Sequence, residues 1–344
     1  MATTKLGIAP MKAAQIAKAG GDFEIVDRQI PNPGAGEVRI KVQACGVCHS
    51  DVFVKEGLWP GLQYPRVPGH EVAGIIDELG AGVIGWTKGQ RIGVGWHGGQ
   101  DNTCIECRRG RFLYCRNPKV AGFSYDGGYQ QYMVAPIEAL AAIPETLSDA
   151  EAAPLLCAGV TTFNALRHSG ASPGSLVAVQ GVGGLGHLGI QFASKFGYKV
   201  AAIGRGPENA SLAKKLGAVV YIDAQSTNAA QELQKLGGAQ AILATAPSSK
   251  AMSELIDGLA PSGKFVVVGI STDPIEVTPL QLIVGEHSLA GSAVGTPTDS
   301  EDTMNFAELT GVRPMIETYT LEKAAEAYAR MMSGKAQFRV VLTM

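Results

Sequence analysis

The sequence predicts an α/β protein in two parts: a strand-rich first part and a second part built on a parallel sheet. Up to about residue 150, short apolar or alternating runs are separated by Gly and Pro, which is typical of an irregular, partly barrel-like β domain rich in loops. From about residue 175, short apolar strands alternate with helical segments. That alternation favours right-handed β-α-β crossovers on a parallel sheet.

The individual elements follow from these runs in order. The first part has four expected strands, at 38–44, 72–79, 90–96 and 129–136. In the second part, the apolar run LVAVQ (176–180) leads into GVGGLG (181–186) and then into a helical run at 185–197. Further buried strands are expected at 199–204, 218–223, 240–245 and 264–270, with helical segments between them, one of them around 208–216. The tail, 297–344, ends in the strand FRVVLTM, which we expect to rejoin the first part.

The bulk composition describes a globular protein that can bury a large core, because 46% of its 344 residues are hydrophobic and 17% are charged. A net charge of −2 gives no electrostatic reason to expect nucleic acid or an anionic membrane as partner. No apolar run approaches the roughly 20 residues that span a bilayer, and the first residues lack the apolar core of a signal peptide. We therefore expect no membrane partner and a cytoplasmic location.

The stretch QACGVCHSD (43–51) is compatible with three chemistries. Cys45, Cys48 and His49 match the C-x-x-C-H pattern of c-type haem attachment, and the cysteine pair also has the spacing of a thioredoxin-like redox couple. A third interpretation takes Cys48 alone as a ligand of zinc. In a reducing compartment, clustered cysteines are more often metal ligands or catalytic groups than disulfides, and the absence of an export signal disfavours haem.

The glycine-rich turn is placed where a dinucleotide-binding fingerprint belongs, between a strand and a helix. Gly181 allows a tight turn, Gly183 lets the backbone approach a pyrophosphate, and Gly186 lets helix and strand pack closely. The turn also contains Gly184 and Leu185, which we include among the cofactor-binding residues. The alternative is a glycine-rich turn without a ligand.

The end of the second strand should carry the residue that reads the ribose of the cofactor, and an Asp or Glu there selects NAD. Here Gly204 occupies that position and Arg205 follows it. Loss of the carboxylate and gain of a guanidinium favour the 2′-phosphate of NADP. In the alternative, Arg205 faces solvent and NAD binds without the acidic residue.

Three separated residues could form a catalytic zinc site. Cys48, His70 and Cys157 would supply two thiolates and one imidazole and leave a fourth position for water or substrate. Each is weak alone, since a lone His is usually structural and Cys157 lies in an apolar run. A second cluster, Cys104, Cys107 and Cys115 with Asp101 as fourth ligand, is typical of a loop around a structural zinc. Its alternative is a loop that has lost the metal and is held by packing alone.

The sequence resembles the zinc-dependent medium-chain alcohol dehydrogenases over essentially its whole length. The resemblance is carried by GVCHSD, PGHE, the cysteine cluster followed by DGGYQQYMVAP, LLCAGVTTFNAL, GVGGLGHLG and FRVVL. It implies a Rossmann doubly wound parallel sheet, 155–296, inserted in a GroES-like, mostly-β catalytic domain, 1–154, to which 297–344 returns. It also implies a homotetramer, as in the shorter bacterial and yeast-type members, two zinc ions per chain and a nicotinamide cofactor.

The resemblance assigns further roles. Asp51 would orient His70, Glu71 would be a transient zinc ligand, and Ser50 would bind the substrate oxygen. Thr161 and Val268 match positions that line the nicotinamide, Arg339 one that contacts the pyrophosphate, and Trp59 and Trp96 positions that shape the substrate pocket. Three positions depart from the family: Asp101 replaces a cysteine, Phe53 replaces the histidine that often ends the proton relay, and Gly204 replaces the acidic ribose-binding residue.

The function predicted from these parts is hydride transfer between an alcohol, or an aldehyde or ketone, and NAD(P). Small primary, aromatic and secondary alcohols all remain open as substrates. A zinc-independent quinone or enone reductase on the same fold would lack Cys48, His70 and Cys157, all of which are present. A non-catalytic protein that binds NADPH and zinc would not need an open zinc position.

Overall fold

The computed structural model describes residues 10–344 and divides into two compact units. The first unit contains residues up to Cys157 together with Gly295–Glu308 and Met315–Met344, and the second contains Ala158–Val294 and Leu309–Pro314. No helix within residues 10–344 is both long and apolar enough to cross a membrane.

The first unit is dominated by antiparallel strands. Its N-terminal elements are β1 Met11–Ile16, β2 Phe23–Arg28, β3 Glu37–Val47, α1 Val52–Lys55, β4 Val72–Leu79, β5 Arg91–Val94, α2 Ile105–Arg108, β6 Tyr132–Pro136, β7 Leu140–Ala142 and α3 Asp149–Pro154. The pair β1–β2 is a separate two-stranded sheet. The long strand β3 alternates buried and partly exposed side chains over its first half and is continuously buried from Ala44 to Val47, so its C-terminal end enters the core.

The second unit is a six-stranded parallel sheet in the order β10-β9-β8-β11-β12-β13. Its elements are α4 Val160–Arg167, β8 Leu176–Gln180, α5 Gly186–Lys195, β9 Lys199–Gly204, α6 Ala210–Lys215, β10 Val220–Asp223, α7 Ala229–Lys235, β11 Ala239–Ala244, α8 Ser249–Ser253, β12 Leu259–Val267, α9 Pro279–Gly285 and β13 Ser288–Gly291. This strand order is that of a dinucleotide-binding doubly wound sheet, with the switch point beside β8. The prediction of an α/β chain with a parallel sheet is confirmed.

The last elements are α10 Pro297–Thr310, β14 Ile316–Thr320, α11 Ala324–Met332 and β15 Arg339–Thr343. β15 pairs antiparallel with β3, joining Val340 to Val47 and Leu342 to Cys45, and completes a seven-stranded sheet. The core of the first unit includes Ile40, Val72, Met133 and Leu342, all fully buried. The pairing places Arg339 one residue beyond the end of β3, beside the first candidate metal site.

Candidate metal and cofactor sites

Four side chains of the first unit meet where β3 and β4 approach each other. Cys48 directly follows β3, and His70 and Glu71 directly precede β4. Cys157 lies in a single π-helical turn, Leu155–Gly159, that follows α3 after Pro154. Such turns are frequent at functional sites because the widened turn re-aims a side chain. The predicted set of Cys48, His70 and Cys157 is thus brought together by three segments far apart in sequence.

The geometry of this cluster fits a tetrahedral metal. The ligand atoms of Cys48, His70, Glu71 and Cys157 all lie within 4.8 Å of one another, and the two Sγ atoms are 3.9 Å apart. Two thiolates at ~2.3 Å from a tetrahedral zinc would be about 3.8 Å apart. The Nε2 atom of His70 is buried without a hydrogen-bond partner, which is the position a metal would satisfy.

The electrostatics of the cluster also favour a cation. The hydrogen bond from Cys157, and then the nearby His70, outweigh burial and lower the pKa of Cys48 well below its ordinary value. Burial lowers the pKa of His70, but the charges of Asp51 and Cys48 outweigh it and raise that pKa well above 6.5. A thiolate on Cys48 favours a cation beside it, and a zinc bound there would displace the proton of His70, because a ligand imidazole is neutral.

Cys45 takes no part in this cluster. Burial, followed by the charge of Asp51, raises the pKa of its thiol well above the ordinary value, and its Sγ lies 3.6 Å from the carbonyl of Gly46. Among residues 10–344 all six cysteines are free, and the Cys48 thiol contacts that of Cys157 at 3.9 Å. The structure therefore supports the metal interpretation of QACGVCHSD over a Cys45–Cys48 redox couple.

The neighbours of the ligands are buried polar groups. Asp51 is fully buried, its Oδ2 accepts the Cys48 backbone N–H at 2.9 Å, and its Oδ1 lies 3.2 Å from His70 Nδ1 without the alignment of a hydrogen bond. Ser50 lies beside Asp51 in the short helical turn His49–Asp51 and is partly exposed.

Glu71 forms a buried ion pair with Arg339, the residue predicted to contact the cofactor pyrophosphate. The Arg339 Nη2 donates to Glu71 Oε1, Glu71 is fully buried and Arg339 is 5% exposed. Burial raises the pKa of Glu71 to about 7, although Arg339 opposes that rise. A side chain at Gly46 would overlap Glu71 Oε2, so a glycine is required where β3 passes this carboxylate.

Aromatic rings cover one side of His70. The Trp96 ring lies 5.0 Å from His70 edge to face, and Phe123 lies 4.9 Å from Trp96 and 5.3 Å from Trp59, as centroid distances. Phe53 lies 6.4 Å from Trp59. Trp59 and Trp96 are predicted pocket residues. The sequence does not predict that Phe123 and Phe53 lie beside these two tryptophans.

The second cluster, Asp101, Cys104, Cys107 and Cys115, also has its ligand atoms within 4.8 Å of one another. Backbone N–H groups of Asp101 and Asn117 donate to Cys115 Sγ at 3.4 Å, an arrangement that stabilises a thiolate. The Asp101 carboxylate accepts from the Cys104 and Thr103 N–H groups and from Asn117 Nδ2, and these three bonds hold its pKa well below the usual range. Asp101 is thus positioned both as a metal ligand and as a cap for the loop.

In the second unit, the glycine turn leaves room for a phosphate. Gly181 has φ +93°, which favours glycine, and a side chain at Gly186 would overlap the Gly181 carbonyl. A Cβ at Gly183 would meet nothing within 4 Å, so the turn is open on that side. Gly184 and Leu185 complete the turn and are partly exposed, as are Thr161 in α4 and Val268 after β12. The residues present fit the pyrophosphate of a dinucleotide.

Gly204 ends β9, and Arg205 after it is exposed. The structure adds a neighbour that the sequence does not reveal: Tyr221 donates to the carbonyl of Gly206 at 2.6 Å, and its hydroxyl oxygen would lie 2.3 Å from a Cβ on Gly204. Asp223 accepts the N–H of Gly206 at 2.7 Å. An acidic residue at 204 would therefore require Tyr221 to move.

Known proteins share both units. A family model described as the alcohol dehydrogenase GroES-like domain matches residues 34–145, and one described as zinc-binding dehydrogenase matches residues 184–310. Alcohol dehydrogenase patD of Penicillium expansum is 44% identical over 333 residues, covering 97% of each chain.

Solved structures share the fold as well. An NAD-dependent alcohol dehydrogenase has a TM-score of 0.90 at 26% identity, covering 97% of this chain and 100% of that chain. The CAD from Helicobacter pylori, solved with NADP(H), has a TM-score of 0.86 at 26% identity, covering 98% of both. The inserted Rossmann and GroES-like architecture is thereby confirmed, and the chain belongs to the zinc-type medium-chain alcohol dehydrogenases, with alcohol dehydrogenase or reductase activity.

Proposed function

We propose that this alcohol dehydrogenase depends on a zinc ion held by Cys48, His70 and Cys157 and transfers a hydride between an alcohol, or an aldehyde or ketone, and NAD(P). The observation that carries the proposal is the pair of Cys48 and Cys157 thiols, 3.9 Å apart, beside an unpartnered His70 Nε2, with the ligand atoms within 4.8 Å of one another. Zinc bound there supplies a Lewis acid that lowers the pKa of an alcohol hydroxyl. A panel of small primary, aromatic and secondary alcohols, assayed with both cofactors on protein of measured zinc content, tests it.

The side chains around the ligands would transfer the proton, orient His70 and exclude water from the substrate. Ser50 would accept the hydrogen bond of the alcohol hydroxyl and, on taking its proton, would pass its own proton outward; Phe53 has no group that could carry that proton further. Asp51 fixes the orientation of His70, as a carboxylate behind a metal-bound imidazole does. Trp59 and Trp96 bound the substrate pocket and exclude water. Glu71 would be a transient zinc ligand, and it forms an ion pair with Arg339 when it is not bound to the metal.

We propose a second, structural zinc on Asp101, Cys104, Cys107 and Cys115, which makes two per chain. Asp101→Ala should lower the melting temperature, because it removes the acceptor of the Thr103 and Cys104 N–H groups, and should leave turnover nearly unchanged. Asp101→Asn is the matched control, because it keeps an acceptor oxygen for the loop N–H groups but is a poor zinc ligand. If metal analysis finds a full second zinc in Asp101→Asn and Asp101→Ala, the carboxylate caps the loop and does not bind the metal.

We propose NADP as the preferred cofactor, on the strength of the exposed Arg205 and the missing carboxylate at Gly204. Arg205→Ala should weaken NADP binding by roughly 1.5–3 kcal/mol, the value of a hydrogen bond to a charged group, and change NAD binding little. Lys215→Ala removes another exposed cation of the same unit and should leave both affinities unchanged. Isothermal titration with each cofactor measures this, and a clear NAD preference in the unmodified protein would mean that Arg205 faces solvent.

We propose a homotetramer located in the cytoplasm, with 1–154 and 297–344 as catalytic domain and 155–296 as nucleotide-binding domain. The strand β13 forms one edge of the parallel sheet, and the adjoining α9 exposes Leu280, Ile283 and Val284 at 69%, 72% and 78%. Unpaired strand edges and apolar patches of this kind are commonly covered by a second copy. Light scattering at micromolar concentration should give the mass of four chains, and a monomer would contradict the assembly.

A further inference from the structure

Tyr129 is a buried side chain whose hydroxyl points at the residue behind the proposed zinc ligand. Its hydroxyl donates to Asp51 Oδ2 at 2.6 Å, and Tyr129, Asp51 and His70 are each fully buried. The Cys48 backbone N–H donates to the same oxygen at 2.9 Å, which leaves Oδ1 facing His70 Nδ1 at 3.2 Å. One oxygen of the carboxylate is therefore held by two donors while the other faces the imidazole.

The backbone ties Tyr129 to the segment that carries His70. The N–H groups of Gly127, Gly128 and Tyr129 donate to the carbonyls of Val67, Gly69 and Pro68 at 2.8, 3.0 and 3.0 Å. The Tyr129 ring crosses Gly69 so closely that a Cβ there would lie 2.5 Å from Cδ1, and Gly69 has φ +104°. The ring is thus fixed against the residue that immediately precedes His70, and its hydroxyl is fixed in turn.

We propose that Tyr129 is a positioning residue for the metal site: its hydroxyl fixes the rotation of the Asp51 carboxylate, which then holds His70 with its Nδ1 proton toward Asp51 and its Nε2 free for the metal. This inference rests on the proposed function. Without the hydroxyl, Oδ2 keeps one donor, and the carboxylate can rotate away from the imidazole. Partners that orient a metal-bound histidine commonly change metal affinity by about 10–100-fold when they are removed.

The test compares Tyr129→Phe with Tyr125→Phe. Tyr125 is a matched control because it lies in the same segment and its hydroxyl donates to a backbone carbonyl, that of Gly98, at 2.9 Å, away from the cluster. Zinc affinity is measured by competition with a chromophoric chelator, and the metal environment by the absorption spectrum of the Co²⁺-loaded protein. The signal that disappears in Cys48→Ala identifies the site of interest.

Tyr129→Phe should bind zinc at this site about 10–100-fold more weakly and shift the Co²⁺ bands, with kcat/KM falling in parallel. Tyr125→Phe should change neither readout. Because Tyr129 acts through Asp51, the double variant Tyr129→Phe/Asp51→Asn should be no weaker in zinc affinity than Asp51→Asn alone.

Unchanged zinc affinity and Co²⁺ spectrum in Tyr129→Phe would overturn the inference, whether or not the melting temperature falls. If Tyr129→Phe fails to fold, Tyr129→His takes its place. The inference would then be overturned if the double variant Tyr129→His/Asp51→Asn lost as much zinc affinity as the two single variants together. Unmodified protein that binds no metal at Cys48 would contradict the proposed function, and this outcome is distinct from the others.

Discussion

Replacing Cys48 by alanine is expected to lower turnover of an alcohol by on the order of 10³-fold or more, while cofactor binding stays close to that of the unmodified protein. Cys48 supplies one of only three protein ligands in the proposed site, and a Lewis acid is worth several kcal/mol of transition-state stabilisation. The glycine turn lies in the second unit and uses no part of this cluster. Turnover, zinc content and NADP affinity are measured on the same preparation.

Cys45→Ala is the control for Cys48→Ala. Both thiols are buried at the end of β3, three residues apart, but Cys45 lies outside the metal cluster. Cys45→Ala should therefore keep its zinc and most of its turnover. Equal turnover in Cys48→Ala and Cys45→Ala would exclude Cys48 as a ligand of a catalytic metal.

Replacing Arg339 by methionine is expected to destabilise the fold by at most about 3–5 kcal/mol, because the fully buried Glu71 loses its cation. Protonation of Glu71, whose pKa is already about 7, limits this loss at neutral pH. Methionine fills much of the volume of the arginine side chain, so the loss of stability comes from the missing charge and not from a cavity. Glu71→Gln in the same chain removes the unpaired charge, and the double variant should recover a large part of the loss. Urea unfolding at neutral pH measures the free energy of unfolding.

The control is the pair of Arg330 and Glu317, which is partly exposed, with side chains 36% and 26% accessible. Arg330→Met should lower the free energy of unfolding much less than Arg339→Met does, because solvent screens the pair. Arg330 lowers the pKa of Glu317 from 4.5 to about 2, so this stabilisation is present above pH 4.5 and is lost as the pH falls toward 2. An equal cost for Arg339→Met and Arg330→Met at neutral pH would show that the Glu71 pair is not an isolated buried charge pair.

Much of the fold could be predicted from sequence because its signals are local. The apolar run at 176–180 is β8 with the expected bounds, and the turn that follows it leads into α5, which begins at Gly186 and ends at Lys195, inside the predicted 185–197. The expected strand 129–136 is shorter, Tyr132–Pro136, because Gly127, Gly128 and Tyr129 form their backbone bonds with the segment before His70. The metal ligands could be proposed because thiols and imidazoles are few and stand in motifs.

The pairings among the groups around the ligands could not be predicted, because they depend on contacts between distant segments. Glu71 and Arg339 are 268 residues apart, and Asp51 and Tyr129 are 78 apart. Tyr221 meets Gly204 only because β9 and β10 are paired in register, with Asp223 beside Gly204. No periodicity or spacing reports such pairs, and each of them modifies a residue whose own role could be proposed.

The central claim is that the Cys48 cluster holds the zinc on which turnover depends, and a metal titration tests it most directly. Protein stripped with a chelator is titrated with Zn²⁺ while alcohol oxidation is followed, with Cys48→Ala treated in parallel. We predict that the stripped protein is inactive, that turnover rises with zinc until the Cys48 site is filled, and that Cys48→Ala never recovers. Full turnover in the stripped protein, or recovery in Cys48→Ala, would contradict the account.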